Sequence, residues 1–354
     1  RGGALEGSNA RLAKLIHPRL HDAVPRPRLF QRLDEARRRG RAICVVGPPG
    51  AGKTTLVASW LDAGRIPSLW FQLDAGDADL PTFIHYLARA ADEFGTSNRH
   101  LPHLTADYVH DVPGFMRRFF RDLWERMPAP ATIVFDNHQE VAPGSPLHDA
   151  IVIAIDEAPG DACVVLVSRR ELPPAYARPA ANRAIAHVDW EDLRFTLDEA
   201  RAVIARRRVA DDATVEWLHS MSAGWAAGLV LLTEDSHRRA AERLPVEAVD
   251  PHAAFDYFAD QIFDRAPANL QRFLMLTAFL PRITVQGAER LTGEADAARI
   301  LDGLYRRHLF THRRPGDVPT FQYHNLFELF LKARARAVID PEDIATLGTR
   351  CGEI

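Results

Sequence analysis

Residues 47–55 read Gly47-Pro48-Pro49-Gly50-Ala51-Gly52-Lys53-Thr54-Thr55 and fit the pattern G-x-x-x-x-G-K-[ST]. The stretch follows an apolar run at residues 43–46 and precedes a helical pattern at residues 56–61. Glycines allow successive backbone N–H groups to curve around phosphate oxygens, and the N-terminus of the following helix adds the positive end of its dipole. The stretch therefore predicts a phosphate-binding loop (P-loop) between a strand and a helix, and a glycine turn without a ligand is the weaker interpretation.

The residue types in the P-loop point to a nucleotide as the ligand. The Lys53 ammonium would lie against the β- and γ-phosphates, and the Thr54 hydroxyl would ligate Mg²⁺. We therefore expect ATP or ADP with Mg²⁺ at this loop. The candidate nucleotide-binding residues are Pro49, Gly50, Ala51, Gly52, Lys53, Thr54 and Thr55.

Apolar runs rich in Val and Ile alternate with helical patterns through residues 1–192. The runs at residues 43–46, 69–73, 132–135, 163–167 and 184–188 have the length of buried parallel strands. Helices are predicted between them at residues 80–94, 112–126 and 146–157. This alternation predicts an α/β P-loop NTPase domain at residues 1–192, in which helices flank a parallel sheet.

The pattern becomes mostly helical after this domain. Thr196 and Glu199 form a capping-box pattern that opens a predicted helix at residues 197–207, and a second follows at residues 212–221. Short runs at residues 308–312 and 320–323 flank turn-forming residues at 313–317, which predicts a hairpin. We predict an all-helical domain at residues 193–248, a winged-helix domain at 249–338 and the start of a further C-terminal region at 339–354.

Composition and charge exclude several classes of protein. The chain has 44 basic and 47 acidic residues, a net charge of −3 and a pI near 6.6, which argues against a dedicated nucleic-acid-binding domain. The candidate recognition helix at residues 294–307 carries balanced charges, so we expect DNA contact only through an effector domain outside this chain. No apolar stretch is long enough to cross a bilayer and no signal peptide is evident, so a cytoplasmic protein without membrane contact is expected.

Lysine is almost absent from this chain. Of the 44 basic residues only Lys14, Lys53 and Lys332 are lysine, and the others are arginine. Lys53 stands where a compact ammonium fits among phosphates and backbone N–H groups better than a planar guanidinium does. Lys14 and Lys332 have no role that the sequence reveals.

The predicted strand at residues 132–135 ends in Asp136, which is followed by Asn137. A carboxylate at this position typically holds Mg²⁺, together with the P-loop hydroxyl of Thr54. In many hydrolysing P-loop ATPases a second carboxylate follows and activates the attacking water. Asn137 can orient a water molecule but cannot take its proton, so we predict slow hydrolysis, with Glu140 as an alternative base.

The predicted strand at residues 163–167 is followed by Ser168, Arg169 and Arg170. Carboxyl ends of parallel strands share one edge of the sheet, so Arg169 is a candidate to reach the γ-phosphate of ATP. A surface arginine paired with Asp161 or Glu171 is the alternative.

These elements, in this order, resemble the nucleotide-binding core of the STAND ATPases, and more closely their MalT-type branch of bacterial transcription regulators. Further stretches carry the resemblance over about residues 12–335: VPRPRL at residues 24–29, WFQLD at 70–74, LRFT at 193–196, GWA at 224–226 and YHNLF at 323–327.

The resemblance implies three domains that close over ADP and that open and self-associate with ATP and an inducer. It implies that Val24 and Arg26 lie beside the adenine and that His324 contacts the β-phosphate of ADP. Ala226 stands where the family has a proline that touches the adenine, so this contact departs from the family pattern. Trp225, next to it, is interpreted only as part of a buried helix face.

Two other functions stay open beside the nucleotide switch. One is an AAA+-like P-loop ATPase that hydrolyses ATP productively. The other is an interaction scaffold in which the nucleotide is only a structural ligand.

Overall fold

The computed structural model describes residues 13–20, 23–94, 101–108, 110–207, 211–241, 252–259, 263–280, 282–307, 309–314 and 319–339. The chain divides into two compact units. The first comprises residues up to Val46 together with Lys53–Asp189, and the second comprises Gly47–Gly52 together with Trp190–Ile354.

The first unit contains a five-stranded parallel sheet, as the apolar runs predict. Its strands are β1 (Ala42–Val46), β2 (Ser68–Gln72), β3 (Thr132–Asp136), β4 (Cys163–Ser168) and β5 (Ile185–Val188), in the order β2-β3-β4-β1-β5. Every residue of β1, β3 and β4 is buried, because helices cover both faces of a parallel sheet. Each predicted strand boundary lies within one residue of the observed one.

Among its described residues, six α-helices accompany this sheet: α1 (Pro27–Arg39), α2 (Lys53–Gly64), α3 (Leu80–Ala91), α4 (Val112–Arg126), α5 (Pro146–Asp156) and α6 (Ala177–Ala181). The bounds of α4 are those predicted. The helix starts there because the Asp111 carboxylate accepts a hydrogen bond from the Gly114 N–H at 2.9 Å and because Pro113 suits a first helical turn. The predicted helix at residues 80–94 ends as a 3₁₀ turn over its last three residues.

Lys14 fixes the N-terminal segment to the residues that follow β2. Its Nζ lies 2.9 Å from Asp74 Oδ2 and 2.7 Å from Oδ1 of Asp77, a residue that is fully buried. The ammonium also lies 5.2 Å from the ring centroids of Phe71 and Tyr86. The sequence alone revealed no role for this lysine, because its partners lie far along the chain.

The second unit contains nine helices and three short strands among its described residues. The helices are α7 (Trp190–Leu193), α8 (Leu197–Arg207), α9 (Asp212–Ser222), α10 (Ala226–Ala241), α11 (His252–Phe258), α12 (Ala268–Thr277), α13 (Val285–Thr292), α14 (Ala297–Arg306) and α15 (Asn325–Val338). The strands β6 (Ile283–Thr284), β7 (Thr311–Arg314) and β8 (Thr320–Tyr323) form an antiparallel sheet in the order β6-β8-β7. Over the described ranges, each helix is too short or too polar to cross a membrane.

The hairpin between β7 and β8 differs from the prediction at its first strand. Arg313 pairs with Phe321 and Arg314 with Thr320, so the prediction that the loop begins at residue 313 was wrong. Charged residues on an edge strand resemble loop residues in sequence. The predicted first strand at residues 308–312 begins only at Thr311, so the prediction was also wrong at residues 309 and 310. Residue 308, the predicted turn residues 315–317 and nearly all of the expected C-terminal region at 339–354 lie outside the described residues.

Candidate functional site

The P-loop joins β1 to α2, as its flanking patterns predict. Gly50 and Gly52 have φ angles of +69° and +78°, a left-handed conformation that glycine adopts without a Cβ clash. Lys53 is the first residue of α2 and is 8% exposed, and Ala51 and Pro49 are buried.

Thr54 and Asp136 meet at the carboxyl edge of the sheet. The Thr54 hydroxyl donates a hydrogen bond to Asp136 Oδ2 at 3.0 Å, and Asp136 is 4% exposed at the end of β3. Burial raises the pKa of this carboxyl, although hydrogen bonds from the Asn137 N–H and from Thr54 oppose the shift, as does the charge of Lys53. A hydroxyl and a carboxylate side by side are the hard oxygen ligands that Mg²⁺ prefers.

Lys53 is close enough to Asp136 and Arg169 for their charges to act on it. Burial and the positive charge of Arg169 lower the pKa of the Lys53 ammonium and Asp136 opposes them in part, which leaves this pKa at about 7. The site thus holds more positive than negative charge in a poorly solvated place. An arrangement of this kind favours a polyanionic ligand such as a phosphate chain.

Asn137, the residue at the position of a catalytic carboxylate, has a left-handed backbone with φ +56°. The side chain of its neighbour Gln139 accepts a hydrogen bond from the Arg169 N–H at 2.9 Å and donates one to Glu140 Oε1 at 3.0 Å. Gln139 therefore connects the segment after β3 to the segment after β4, a role that the sequence did not reveal. Glu140, the alternative base, is exposed.

The left-handed residue Asn137 is followed by His138, which lies in a buried group of aromatic and imidazole side chains. His138 is 2% exposed, and its Nε2 lies 2.8 Å from the Tyr176 hydroxyl, which also lies 3.5 Å from Nδ1 of His148. Burial, together with the charge of His148, lowers the pKa of His138 to about 3, and burial also lowers the pKa of His148, so both rings are neutral near pH 7.

The other residues that the sequence placed at the first unit's site differ in exposure. Arg26 is 5% exposed at the start of α1, and its backbone oxygen accepts hydrogen bonds from the N–H groups of Leu29 and Phe30. Val24 is half-buried and Thr55 is exposed. The adenine contacts that the resemblance implies for Val24 and Arg26 stay predictions.

In the second unit, residues at the start of α10 bind the backbone of the P-loop. The indole Nε1–H of Trp225 donates to the Pro49 oxygen at 3.0 Å, and the Ala227 N–H donates to the Gly50 oxygen at 2.9 Å. The side chain of Ala226 faces Gly52, since a Cβ added at Gly52 would lie 3.6 Å from the Ala226 Cβ.

Trp225 is fully buried, as predicted, but it is more than part of a helix face. Its ring stacks on Phe258 with centroids 5.0 Å apart, and it meets Phe310, Tyr257 and His324 edge-on at 4.9, 5.4 and 6.0 Å. We call these five residues the Trp225 cluster. In the sequence, Trp225 is a tryptophan between two small residues, and this pattern does not predict its hydrogen bond to Pro49, which lies 176 positions away.

His324 uses both ring nitrogens within the protein. Its Nδ1 accepts a hydrogen bond from the Leu326 N–H at 3.3 Å. Its Nε2 therefore carries the ring proton and donates a hydrogen bond to the Ser222 backbone oxygen at 2.8 Å. Burial lowers the pKa of His324 to about 3, and the ring is neutral. The β-phosphate contact that the resemblance implies would require the Nε2–H to leave the Ser222 oxygen, and it stays a prediction.

Comparisons with known proteins find similarity to MalT-type regulators over most of the chain. Residues 259–343 match the family described as the MalT winged helix domain. The HTH-type transcriptional regulator MalT of Klebsiella pneumoniae (strain 342) is 28% identical over 345 residues, covering 92% of this chain and 36% of that protein. MalT of Vibrio parahaemolyticus is 26% identical over 350 residues, covering 94% of this chain and 37% of that protein.

A solved structure, the Walker-type ATPase PABY2304 of Pyrococcus abyssi, superposes with a TM-score of 0.57 at 14% identity and covers 86% of this chain and 94% of that chain. At this identity the likeness concerns the fold alone. The resemblance to MalT-type regulators and the expected fold class, a P-loop sheet domain followed by helical and winged-helix parts, are confirmed. This chain spans little more than a third of the length of the curated relatives it matches.

Proposed function

We propose that this chain is the nucleotide-dependent switch of a MalT-like transcriptional regulator. In the proposed cycle ADP holds the nucleotide-binding, helical and winged-helix domains closed, and ATP with an inducer lets them open and self-associate. The observation that supports nucleotide binding best is the 3.0 Å hydrogen bond between Thr54 and Asp136, because it brings the P-loop hydroxyl to the strand-end carboxylate beside Lys53.

Thr54 and Asp136 are the residues that would hold Mg²⁺, because hydroxyl and carboxylate oxygens are the hard ligands that this ion prefers. When bound, Mg²⁺ would neutralise charge on the phosphates and fix their orientation. Lys53 and the backbone N–H groups from Gly50 to Thr55 would bind the phosphate oxygens. Val24, Arg26 and Ala226 would line the adenine.

A switch requires that its two states bind the nucleotides unequally. A change from 1:99 to 99:1 needs about 5.5 kcal/mol of differential affinity. Arg169 is our candidate for sensing the γ-phosphate, since its charge acts on Lys53 and Asp136. His324 is our candidate for favouring ADP. If His324→Ala leaves both nucleotide affinities and the oligomeric state unchanged, this role of His324 is wrong.

We further propose that hydrolysis is slow, because Asn137 has no titratable oxygen and Glu140 is exposed. Single-turnover hydrolysis should be slow in the parent protein and faster in Asn137→Asp. Asn137→Gln is the matched control, because it changes the side-chain length without supplying a base. A brisk rate in the parent would contradict the proposal and favour the AAA+-like ATPase.

The scaffold alternative makes a different prediction for the P-loop lysine. If the nucleotide is only structural, Lys53→Ala should lower thermal stability without altering self-association. In the switch, the same variant should lose nucleotide binding and ATP-dependent association together.

The experiment that tests the proposed function most directly identifies the bound nucleotide. The purified protein is denatured, and the released small molecules are separated by chromatography. ADP in near-stoichiometric amount is the expected result. If no nucleotide is released and neither ADP nor ATP binds to the folded protein, the proposal fails.

The proposed domain limits are 1–192, 193–248 and 249–338, with a further region starting at 339. The relatives are named HTH-type regulators and are much longer than this chain. We therefore propose that DNA contact belongs to an effector part outside these residues.

A further inference from the structure

Two backbone carbonyls of the P-loop are held by residues at the start of α10. Pro49 O accepts the Trp225 indole N–H at 3.0 Å, and Gly50 O accepts the Ala227 N–H at 2.9 Å. Both bonds are made within the second unit, and the Trp225 side chain is fully buried.

Holding a carbonyl also orients the N–H of the next residue. In a trans peptide the C=O and N–H groups point in opposite directions across a rigid plane. Fixing the Pro49 and Gly50 oxygens on Trp225 and Ala227 therefore turns the N–H groups of Gly50 and Ala51 to the opposite side. These are N–H groups of the kind that curve around phosphate oxygens in such loops.

The fit between Trp225 and the loop leaves no spare room. A Cβ added at Gly50 would lie 3.0 Å from the Trp225 Nε1 and 2.6 Å from the Ala227 Cβ. The Ala51 N–H makes only a long bond of 3.3 Å, to the Pro48 oxygen. The hydrogen bonds from Trp225 and Ala227 to the loop are therefore shorter than this bond within the turn.

The same indole ring is packed by residues of the winged-helix hairpin region. Phe310 meets it edge-on at 4.9 Å, and His324, the N-cap of α15, meets it at 6.0 Å. Phe310 has φ +50°, an unfavourable conformation for a bulky residue, and its oxygen accepts the His324 N–H at 2.8 Å. Strain of this kind persists only where surrounding contacts impose it.

We infer that Trp225 is a positioning residue that couples the phosphate-binding geometry of the P-loop to the packing of Phe310 and His324. Repacking on the winged-helix side moves the indole, and the indole N–H releases or holds the Pro49 carbonyl. By reciprocity, a nucleotide that needs the ordered loop stabilises the packed Trp225 cluster. The inference rests on the proposed nucleotide binding and adds to it the path by which the nucleotide is sensed.

The test is Trp225→Phe in the full chain, which keeps an aromatic ring and removes the N–H donor. Loss of one buried hydrogen bond predicts about a five- to tenfold weaker affinity for ADP, measured by titration calorimetry after removal of bound nucleotide. ADP should also protect backbone amides at residues 309–314 and 320–324 from hydrogen exchange in the parent, and this protection should shrink in the variant.

Trp124→Phe is the matched control. Trp124 is 4% exposed, and its indole N–H also donates to a backbone oxygen, that of Ala154, at 3.1 Å within the first unit. A purely structural role predicts that both variants lose thermal stability and that both keep the parent's ADP affinity below the melting temperature. Coupling predicts that only Trp225→Phe loses affinity and the ADP-induced protection.

Phe310→Leu provides a second measurement if Trp225→Phe does not fold. It changes neither the P-loop sequence nor Trp225 itself but alters the packing against the indole, and the coupling predicts a several-fold weaker ADP affinity. Parent-like ADP binding in whichever variant folds would overturn the inference and leave the proposed function standing. Absence of nucleotide binding by the parent would instead overturn the proposed function, and the inference with it.

Discussion

Raising the pH above 7 should weaken nucleotide binding through one residue, Lys53. Burial and the charge of Arg169 together lower the pKa of its ammonium to about 7. Phosphate oxygens beside it favour the charged form, so the bound-state pKa should return at least to its ordinary value of about 10.4. Binding above pH 7 is therefore coupled to the uptake of a proton.

The magnitude follows from these two pKa values. In the free protein about one in a hundred Lys53 side chains is charged at pH 9, against about half at pH 7, which gives roughly a 50-fold weaker affinity at pH 9. At pH 8 the complex should take up about 0.9 proton on binding. The terminal phosphate of the nucleotide has a second pKa of about 6 and contributes little above pH 7.

The assay is titration calorimetry of ADP binding between pH 7 and 9, in pairs of buffers with different ionisation enthalpies. Lys53→Arg is the control, because a guanidinium stays charged over this range and its weaker binding should not depend on pH. A pH-independent affinity in the parent, with no proton uptake, would refute the reasoning that burial and Arg169 discharge Lys53.

Two predictions concern stability. Asp77→Ala should lower the free energy of unfolding by about 3 kcal/mol in urea titrations, because it leaves Lys14 without its buried partner. Asp79→Ala, at an exposed helix cap, should lower the free energy of unfolding much less, and equal losses in the two variants would contradict this role of the ion pair. His138 has a pKa of about 3 when folded and 6.5 when unfolded, so the unfolded state binds more protons between these values and stability falls as the pH drops through this window. His138→Asn should reduce that slope by up to about 1.4 kcal/mol per pH unit, and an unchanged slope would show that this ring does not carry the acid sensitivity.

Much of the fold is predictable from the sequence because its signals are local. The apolar runs that form β1, β3 and β4 are buried on both faces, and no other element matches a short run of β-branched residues between turn signals. The start of α4 follows from Asp111 and Pro113. Where the local signal is ambiguous the prediction fails, as at Arg313 and Arg314, whose charge suggests a loop although they pair with β8.

In the candidate site, too, the contacts that follow from local sequence patterns are predictable and the contacts between residues distant in sequence are not. That Thr54 would meet Asp136 follows from the rule that parallel strands end at one edge of the sheet. The bonds of Lys14 to Asp77 and of Trp225 to Pro49 join residues 63 and 176 positions apart. No pattern near Lys14 or Trp225 encodes such a partner, because the tertiary packing alone brings the two ends together.

The place of the three lysines has a practical consequence for chemical labelling. Lys53 is buried in the P-loop, Lys14 is bound by two carboxylates, and Lys332 donates to Glu328 at 2.6 Å. The exposed cations of the described surface are arginines, which neither amine-reactive reagents nor acetylating enzymes modify. Side-chain amine labelling of the folded protein should therefore be sparse, and a reagent that reaches Lys53 would report on the P-loop almost without background.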